Sequence, residues 1–472
     1  MTTETDNASR QDRVDELYAE SSVWHVNTGG ETIHAKRMPG KFRTIKWLTS
    51  SIWLIFFFGP YLRWGDRQAV LLDIPNRQFH IFDITIMPQD IWMLSLTLLF
   101  FAILLAVVTS IAGRVFCGFF CFQTAWTDVY TWIEDKIEGN PAQRRKLDKA
   151  PMSLEKLKVK VPKHIAWLAI AMLTGVSFAA WFTDVYELWQ GYLTLSAPPV
   201  AWAVLGLFTA GTYGLAGFMR EQVCFWLCPY ARIQGVMYDR ETILPAYDRL
   251  RGEPRGKMKK GAHDPDKGDC IDCGQCLAVC PTGIDIRDGQ QEGCITCGLC
   301  IDACDAVMQK IDKPLGLVRY ASLDELDGKP TIPMLKRPRV LVYFTILTLA
   351  ATGILYGLSH LAGIELKVLH ERQPLFVQQS DGSIQNKYYL KILNKTDKPL
   401  RVTLTAEGPD KLELVGGGEV DLRPGDITPH TVYVRVPRKE LKSEATPVVF
   451  RILATDNPDL ASERESVIFG PG

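Results

Sequence analysis

Eight of the twelve cysteines fall into two copies of one spacing. From Cys270 the chain reads C-I-D-C-G-Q-C-L-A-V-C-P, and from Cys294 it reads C-I-T-C-G-L-C-I-D-A-C-D. Each copy is C-x2-C-x2-C-x3-C. In bacterial ferredoxins the fourth cysteine of such a run ligates the other cluster. The expectation is therefore two [4Fe–4S] clusters. Cys270, Cys273, Cys276 and Cys304 would hold one; Cys294, Cys297, Cys300 and Cys280 would hold the other. Three closely spaced thiolates can take three corners of a cubane, and the fourth must come from elsewhere. Gly274, Ala278, Gly298 and Ala303 leave room for the inorganic core. Structural zinc sites also use C-x2-C pairs, but eight cysteines in a duplicated run fit clusters far better. Pro281 follows the first run and Asp305 the second, a difference that touches no ligand.

The other four cysteines form a second constellation. Cys117 and Cys121 lie in R-V-F-C-G-F-F-C-F-Q-T-A-W, and Cys224 and Cys228 in R-E-Q-V-C-F-W-L-C-P-Y-A-R. Both pairs are C-x3-C, and both follow an apolar run and an arginine (Arg114, Arg220), which reads as a weak internal repeat. If the preceding helices continue past the membrane, each pair lies at i and i+4 on one face. Pro229 would then end the second helix, with Phe122 at the matching place in the first. A single buried pair is often inert; two in equivalent places point to ligation or redox chemistry. The nearby arginines are expected to favour thiolate. Soft thiolates select Cu(I), zinc or iron–sulfur clusters, and a dithiol–disulfide centre also fits. The eight histidines (25, 34, 80, 164, 263, 360, 370 and 430) are scattered. No C-x2-C-H exists for covalent haem, and no paired histidines lie within the apolar runs to hold haem b. No glycine-rich loop stands between a strand and a helix, which argues against a nucleotide domain.

These ligands must be positioned by the rest of a 472-residue chain, long enough for several domains. Acidic and basic residues balance at 53 each, so no global charge points to nucleic acid. Five apolar runs read as membrane spans: Trp47–Leu62, Ile91–Gly113, Ile165–Phe182, Pro199–Met219 and Val340–Ser359. The first is short and ends at Gly59-Pro60. Residues 1–11 are polar and acidic and lack the apolar core of a cleaved signal, so the first span is expected to remain. Trp47, Trp53 and Trp92 read as interface anchors. Lys36, Arg37, Lys41, Arg43 and Lys46 precede the first span. The 114–164 loop holds ten Lys and Arg, the 63–90 loop only three and the 183–198 loop none. Basic residues recur in 220–339, ending Lys336, Arg337 and Arg339. The asymmetry places the N-terminus and the cluster segment in the cytoplasm and the C-terminal tail outside. The basic stretch 252–261 reads as a solvated linker at the membrane face.

After the last run the pattern changes to period two. Residues 387–393, 401–405, 411–415, 431–436 and 447–454 read as strands, separated by turn signals at Asp381-Gly382, 394–396, 416–418 and Pro424-Gly425. About a hundred residues of short strands suggest an immunoglobulin-like β-sandwich. The 168 residues after Cys304 contain no cysteine, so an oxidising compartment threatens no thiol there.

The order of elements is the most specific signal. G-R-V-F-C-G-F-F-C-F-Q-T-A-W-T-D-V-Y (113–130), R-E-Q-V-C-F-W-L-C-P-Y-A-R (220–232), the cluster segment and the sandwich together resemble the CcoG/FixG/RdxA family. That resemblance covers nearly the whole chain after about residue 30. It implies an accessory protein for assembly of cbb3-type cytochrome c oxidase in the bacterial cytoplasmic membrane, reducing Cu(II) to Cu(I). Phe122 departs from the Cys-Pro form usual in both membrane-proximal motifs. The expected fold is an α-helical membrane protein with a ferredoxin-like 2[4Fe–4S] domain and a C-terminal sandwich. Its parts are a cytoplasmic tail (1–46), a four-helix membrane domain (47–219), a cytoplasmic ferredoxin segment (220–339), a fifth span (340–363) and a periplasmic sandwich (364–472). Copper would be substrate or bound ion at Cys117, Cys121, Cys224 and Cys228. Expected partners are the membrane, oxidase subunits, copper-delivery proteins and an electron donor the sequence does not name; a homodimer is allowed. Two rivals use the same parts: a quinol-linked electron-transfer ferredoxin without copper chemistry, and a non-catalytic assembly scaffold.

Overall fold

Four helices are long and apolar enough to cross a bilayer among the described residues: Trp92–Ala112, Leu154–Ala179, Pro199–Met219 and Pro338–Ser359. At 1.5 Å per residue they reach roughly 30–40 Å, the thickness of a hydrocarbon core. The computed structural model describes residues 32–471, apart from 66, 83, 88, 89, 258–266, 360–362, 397, 442 and 459. Most of the expected N-terminal tail, His25, His263, His360 and the 258–261 part of the basic linker lie outside the described residues.

The run expected as the first span is not one α-helix. It is built from helix Lys41–Ser50, a 3-10 turn Ser51–Trp53, helix Leu54–Phe58 and a second 3-10 turn Gly59–Tyr61. Hydroxyls at the break compete for backbone carbonyls: Thr49 Oγ1 donates to Ile45 O (2.9 Å) and Ser51 Oγ to Leu48 O (2.6 Å). Trp53 is not a free interface anchor. Its Nε1 donates to Phe120 O at 2.9 Å, and its ring packs edge-on against Phe122 and Trp126. The third span starts earlier than expected, at Leu154, where the Ser153 side chain caps the Lys156 N–H. It continues through Pro162. Helix Pro199–Gly214 widens into π-helical turn Leu215–Met219 and stops at Arg220, whose φ is 45°.

The chain divides into two compact units. One comprises the residues up to Gly59, Thr97–Ala180 and Tyr186–Ala351; the other comprises Pro60–Leu96, Trp181–Val185 and Thr352–Gly472. The cysteine segment thus shares one unit with most of the helical bundle rather than forming a separate body. Residues 60–96, expected as part of the membrane domain, fall in the unit of the sandwich.

In the first unit, Gly175 lets two long helices approach closely: a Cβ there would lie 2.9 Å from Leu205 O. Tyr130 stacks on Trp167 (4.9 Å) and donates to its carbonyl (2.8 Å), while Trp126 Nε1 donates to Thr174 Oγ1 (2.9 Å). These bonds satisfy polar atoms that burial would otherwise leave unpaired. Strands Leu244–Tyr247 and Val318–Ala321 pair antiparallel. They pin both ends of the cysteine segment together.

In the second unit the sandwich has two antiparallel sheets. One runs Glu413–Val415, Ile427–Pro437, Ser383–Asn394, Ile364–His370, with Val377–Gln378 also on Ser383–Asn394. The other runs Gly418–Leu422, Leu400–Glu407, Ala445–Ala454, Ala461–Phe469. Alternate residues point inward, as strand geometry requires: Tyr388, Leu390 and Ile392 meet Val402, Leu404, Phe450 and Ile452 in one core. The expected strands are present, most with longer bounds; Ile364–His370, Gly418–Leu422 and Ala461–Phe469 were not expected. Buried Asn386 joins the two sheets. Its Nδ2 donates to Phe469 O (2.8 Å), and its Oδ1 accepts from Phe469 N (2.9 Å).

Candidate metal centres

The two cysteine runs fold the same way. Gly274 (φ 61°) and Gly298 (φ 71°) sit in the left-handed region and cap helices Gln275–Ala278 and Leu299–Lys310. Asp272 (φ 49°) and Thr296 (φ 56°), each just before the second cysteine of its run, are left-handed too. Each loop therefore reverses on both sides of that cysteine, wrapping thiols around a space. Sequence reasoning assigned the two glycines to room for the core; the structure adds a backbone reason, since glycine adopts positive φ without penalty.

Cysteines of both runs meet at one cavity. Cys276, Cys280, Cys294, Cys297 and Cys300 line it with Thr282 and Ile295. Cys304 shares a hydrophobic cluster with Cys270, Cys276 and Tyr247. Burial pushes the Cys304 thiol up to about 12, with Cys276 as the largest neighbouring charge. Burial likewise pushes Cys294 up to about 12, with Cys297 and Cys280 as its sulfur neighbours. Among the described residues no three His, Cys, Asp or Glu side chains close on a single ion. Thiols spread around a cavity fit a multi-iron core. Cys273 alone of the twelve is exposed.

The C-x3-C pairs also converge, but not as i, i+4 positions on continuing helices. Cys117 lies in the short helix Val115–Phe119, whereas Cys121 is the extended N-cap of Phe122–Ile137. Cys224 lies in π-helical turn Val223–Leu227, whereas Cys228 is the extended N-cap of Pro229–Gly235. Each pair brackets a helix break. Pro229 opens a helix instead of ending one, because at the first helical position its missing N–H is no loss. Phe122 takes the same position in the other copy, so the repeat survives the substitution. Charges on Cys121, Cys224 and Cys228 all act on Cys117, which places the four thiols in one neighbourhood.

At Cys117 and Cys224 burial works against the expected thiolate. Burial drives the Cys117 thiol far above its ordinary range and Cys224 up to about 12; Arg114 offsets only part of this. The Arg114 guanidinium is engaged elsewhere, donating to Ala231 O. Cys117 donates to Gln234 Oε1 at 3.2 Å, and the buried Gln234 amide donates on to Thr109 Oγ1 at 3.1 Å. Burial therefore favours the neutral thiol at Cys117 and Cys224, and a bound cation would supply the charge that ionises them.

The two constellations touch. A Cβ on Gly118 would lie 2.5 Å from Ile295 O and 3.0 Å from Cys297 Cα. Arg114 N donates to Thr296 Oγ1 at 3.1 Å. The helix of Cys117 is thus seated on the backbone that carries Cys297. The described histidines are occupied elsewhere: His164 pairs with Tyr213 OH (2.9 Å), His80 with Thr85 (3.0 Å) and His34 with Asp148 (3.0 Å).

One functional feature was read differently from sequence. Arg37, Arg43 and Lys46 entered as orientation signals. In the fold they gather on Asp128, at 3.0, 2.9 and 3.8 Å. Burial alone would raise the Asp128 carboxyl, but Lys46, Arg43 and Arg37 together hold it down at about 2. The acid in T-A-W-T-D-V-Y, about two helix turns beyond a metal-ligand candidate, was the available signal.

Three family models match: a 4Fe-4S dicluster domain over residues 219–323, a 4Fe-4S binding domain over 94–140, and the IG-like fold at the C-terminal of FixG, whose description adds an oxidoreductase assignment, over 354–471. The chain is 39% identical over 454 residues to nitrogen fixation protein FixG of Rhizobium meliloti, covering 86% of each. It is 41% identical over 403 residues to protein RdxB of Cereibacter sphaeroides, covering 82% of this chain and 84% of that one. Protein RdxA of the same organism is 42% identical over 390 residues, covering 80% and 82%. Among solved structures, a FixG-related protein from Vibrio parahaemolyticus aligns at TM-score 0.22 and 21% identity, over 24% of this chain and 100% of that one.

Proposed function

The chain belongs to the family of FixG, RdxA and RdxB, iron–sulfur proteins of oxidoreductase type, and on that footing we propose that it is a membrane metalloreductase converting Cu(II) to Cu(I). The product would serve the copper site of a cbb3-type cytochrome c oxidase, with oxidase subunits and copper-delivery proteins as partners. The observation that carries the reading is the seat of the Cys117 helix on the Cys297 backbone through Gly118. When bound, the two cubanes supply single electrons, one for each Cu(II) reduced. The chain's own residues do the rest. Cys273, exposed, presents the edge where a donor can approach. Cys117, Cys121, Cys224 and Cys228 offer soft donors that favour Cu(I) over Cu(II). Burial favours the protonated thiol at Cys117 and Cys224, so copper uptake there would release protons. The distribution of Lys and Arg supports a cytoplasmic cluster segment and a periplasmic sandwich.

The test uses anaerobically purified, dithionite-reduced protein and a Cu(I)-specific chelator. Replacing Cys117 with Cys121, or Cys224 with Cys228, by Ala abolishes copper binding and leaves cluster EPR intact. Copper binding and reduction like wild type in these double variants refutes the site. Protease added to intact spheroplasts removes residues 364–471 and spares 220–339; a protected tail refutes the sidedness.

A second reading has its own observation. The 4Fe-4S binding domain matched over 94–140 contains only Cys117 and Cys121. With Cys224 and Cys228 they make four thiols, enough for a third cubane. Iron analysis decides: about eight irons per chain supports copper at these thiols, and about twelve supports the third cluster.

A further inference from the structure

We propose that Lys46, with Arg43 and Arg37 behind it, is the counter-charge of the cubane held by Cys280, Cys294, Cys297 and Cys300, and that it raises the reduction potential of that cluster. The proposal concerns the cubane alone and stands whether or not copper is the acceptor.

Helix Lys41–Ser50 lies along the second cluster lobe. A Cβ on Gly298, next to Cys297, would come within 2.7 Å of the Phe42 ring. The N–H groups of Phe42 and Arg43 donate to the Asp302 carboxylate at 3.1 and 3.0 Å. One turn beyond Phe42, on the same helix face, stands Lys46. One turn further, Thr49 Oγ1 reaches Phe119 O at 3.2 Å. Lys46 is therefore held between the Cys297 loop and the Cys117 helix. Arg43 and Lys46 share a cavity of about 50 Å³ with Pro281, Ile295 and Leu299 of the cluster lobe and with Glu221 and Cys224.

The Lys46 ammonium is held at a distance from its ion-pair partner. Lys46 is 1% exposed, and its ammonium lies 3.8 Å from Asp128, a carboxylate already taken by Arg43 and Arg37 at 2.9 and 3.0 Å. Asp302 is engaged by backbone amides, and buried Glu221 lines the same cavity. Asp128 is shared by three cations, and a buried ammonium no closer than 3.8 Å to it is stabilised by a further anion beside it. A cubane bound by four thiolates is that anion. Each electron it takes adds negative charge, so a neighbouring cation stabilises the reduced form more than the oxidised form, and net charge is one of the levers on cluster potential.

The experiment is an EPR-monitored redox titration of the full chain, purified anaerobically in detergent. Lys46→Met lowers the potential of the second cluster and leaves the Cys270 cluster in place as an internal reference. Lys46→Arg keeps the wild-type value. Asp128→Asn removes negative charge from the same group and moves the potential the other way, upward. A role confined to holding the helix in place would move the Lys46→Met and Asp128→Asn variants in one direction, so opposite shifts support the proposal. An unchanged potential in Lys46→Met, or shifts of the same sign in both variants, overturns it. Iron lost from Lys46→Met but kept in Lys46→Arg supports the same need for charge. Iron lost from both, with the Asp128→Asn potential unmoved, overturns it.

Discussion

Gly118→Ala tests the contact on which the proposed electron delivery depends. Gly118 sits inside helix Val115–Phe119, so by intrinsic propensity alanine would gain about 1 kcal/mol there. The new methyl, however, would lie 2.5 Å from Ile295 O, 3.0 Å from Cys297 Cα and 3.1 Å from Cys297 N. All three are backbone atoms, so no side chain can swing away. Restoring an ordinary contact of ~3.5 Å requires the helix and the cluster loop to part by about 1 Å. Overpacking of this kind costs about 1–3 kcal/mol, which outweighs or roughly cancels the propensity gain. The expected net loss of stability is thus only about 0–2 kcal/mol. Function should suffer more. Displacing reacting partners by ~1 Å can slow a reaction by up to about 10²-fold. The assay mixes dithionite-reduced protein with Cu(II) and follows reoxidation of the clusters by absorbance. The expected result is full iron content, a melting transition close to wild type and reoxidation slowed by at least about tenfold. Wild-type reoxidation in a fully folded Gly118→Ala protein would refute the reasoning, because the electron would then not need this contact.

Cys280→Ala should abolish the EPR signal of the cluster otherwise held by Cys294, Cys297 and Cys300, sparing that of its sequence neighbours Cys270, Cys273 and Cys276; loss of the neighbours' signal instead would refute crossed ligation. Asp128, held down at about 2 against an ordinary 3.8, contributes roughly 2 kcal/mol. Because its folded value is the depressed one, that stability is present above about pH 4 and is lost as pH falls toward 2. Asp128→Asn should therefore melt below wild type at neutral pH and converge with it near pH 2, and parallel curves at every pH would contradict the assignment. Asn386→Ala leaves Phe469 N and O without partners inside the sandwich. It should destabilise by roughly 2–4 kcal/mol, read as faster proteolysis within residues 364–471 of the full chain.

The 4Fe-4S character of the cysteine runs was legible in the sequence because its chemistry is local. C-x2-C-x2-C-x3-C fixes three corners of a cluster by covalent distance alone, and duplication supplies the crossed fourth. The long helices were legible because a bilayer needs some twenty apolar residues in a row, and the sandwich because alternation survives in strands such as Ser383–Asn394. The same local reasoning failed where long-range contacts compete with a local preference. Trp47–Leu62 was apolar enough to suggest one span, yet its helix is interrupted at Ser51–Trp53, where Thr49, Ser50 and Trp53 bond the carbonyls of Phe119 and Phe120. Pro229 could be read only as a stop, because nothing local says that a new helix begins there. Arg114 and Arg220 pointed to thiolates, but the fold buries Cys117 and Cys224, and desolvation outweighs a guanidinium that bonds elsewhere. Residues 37, 43 and 46 are more than eighty positions from Asp128 and more than two hundred from Cys280. Their charges could be counted in the sequence, but only the packing of helix Lys41–Ser50 against the cluster lobe makes them one group. Electrostatic interaction depends on distance and burial, and neither is a property of position along the chain.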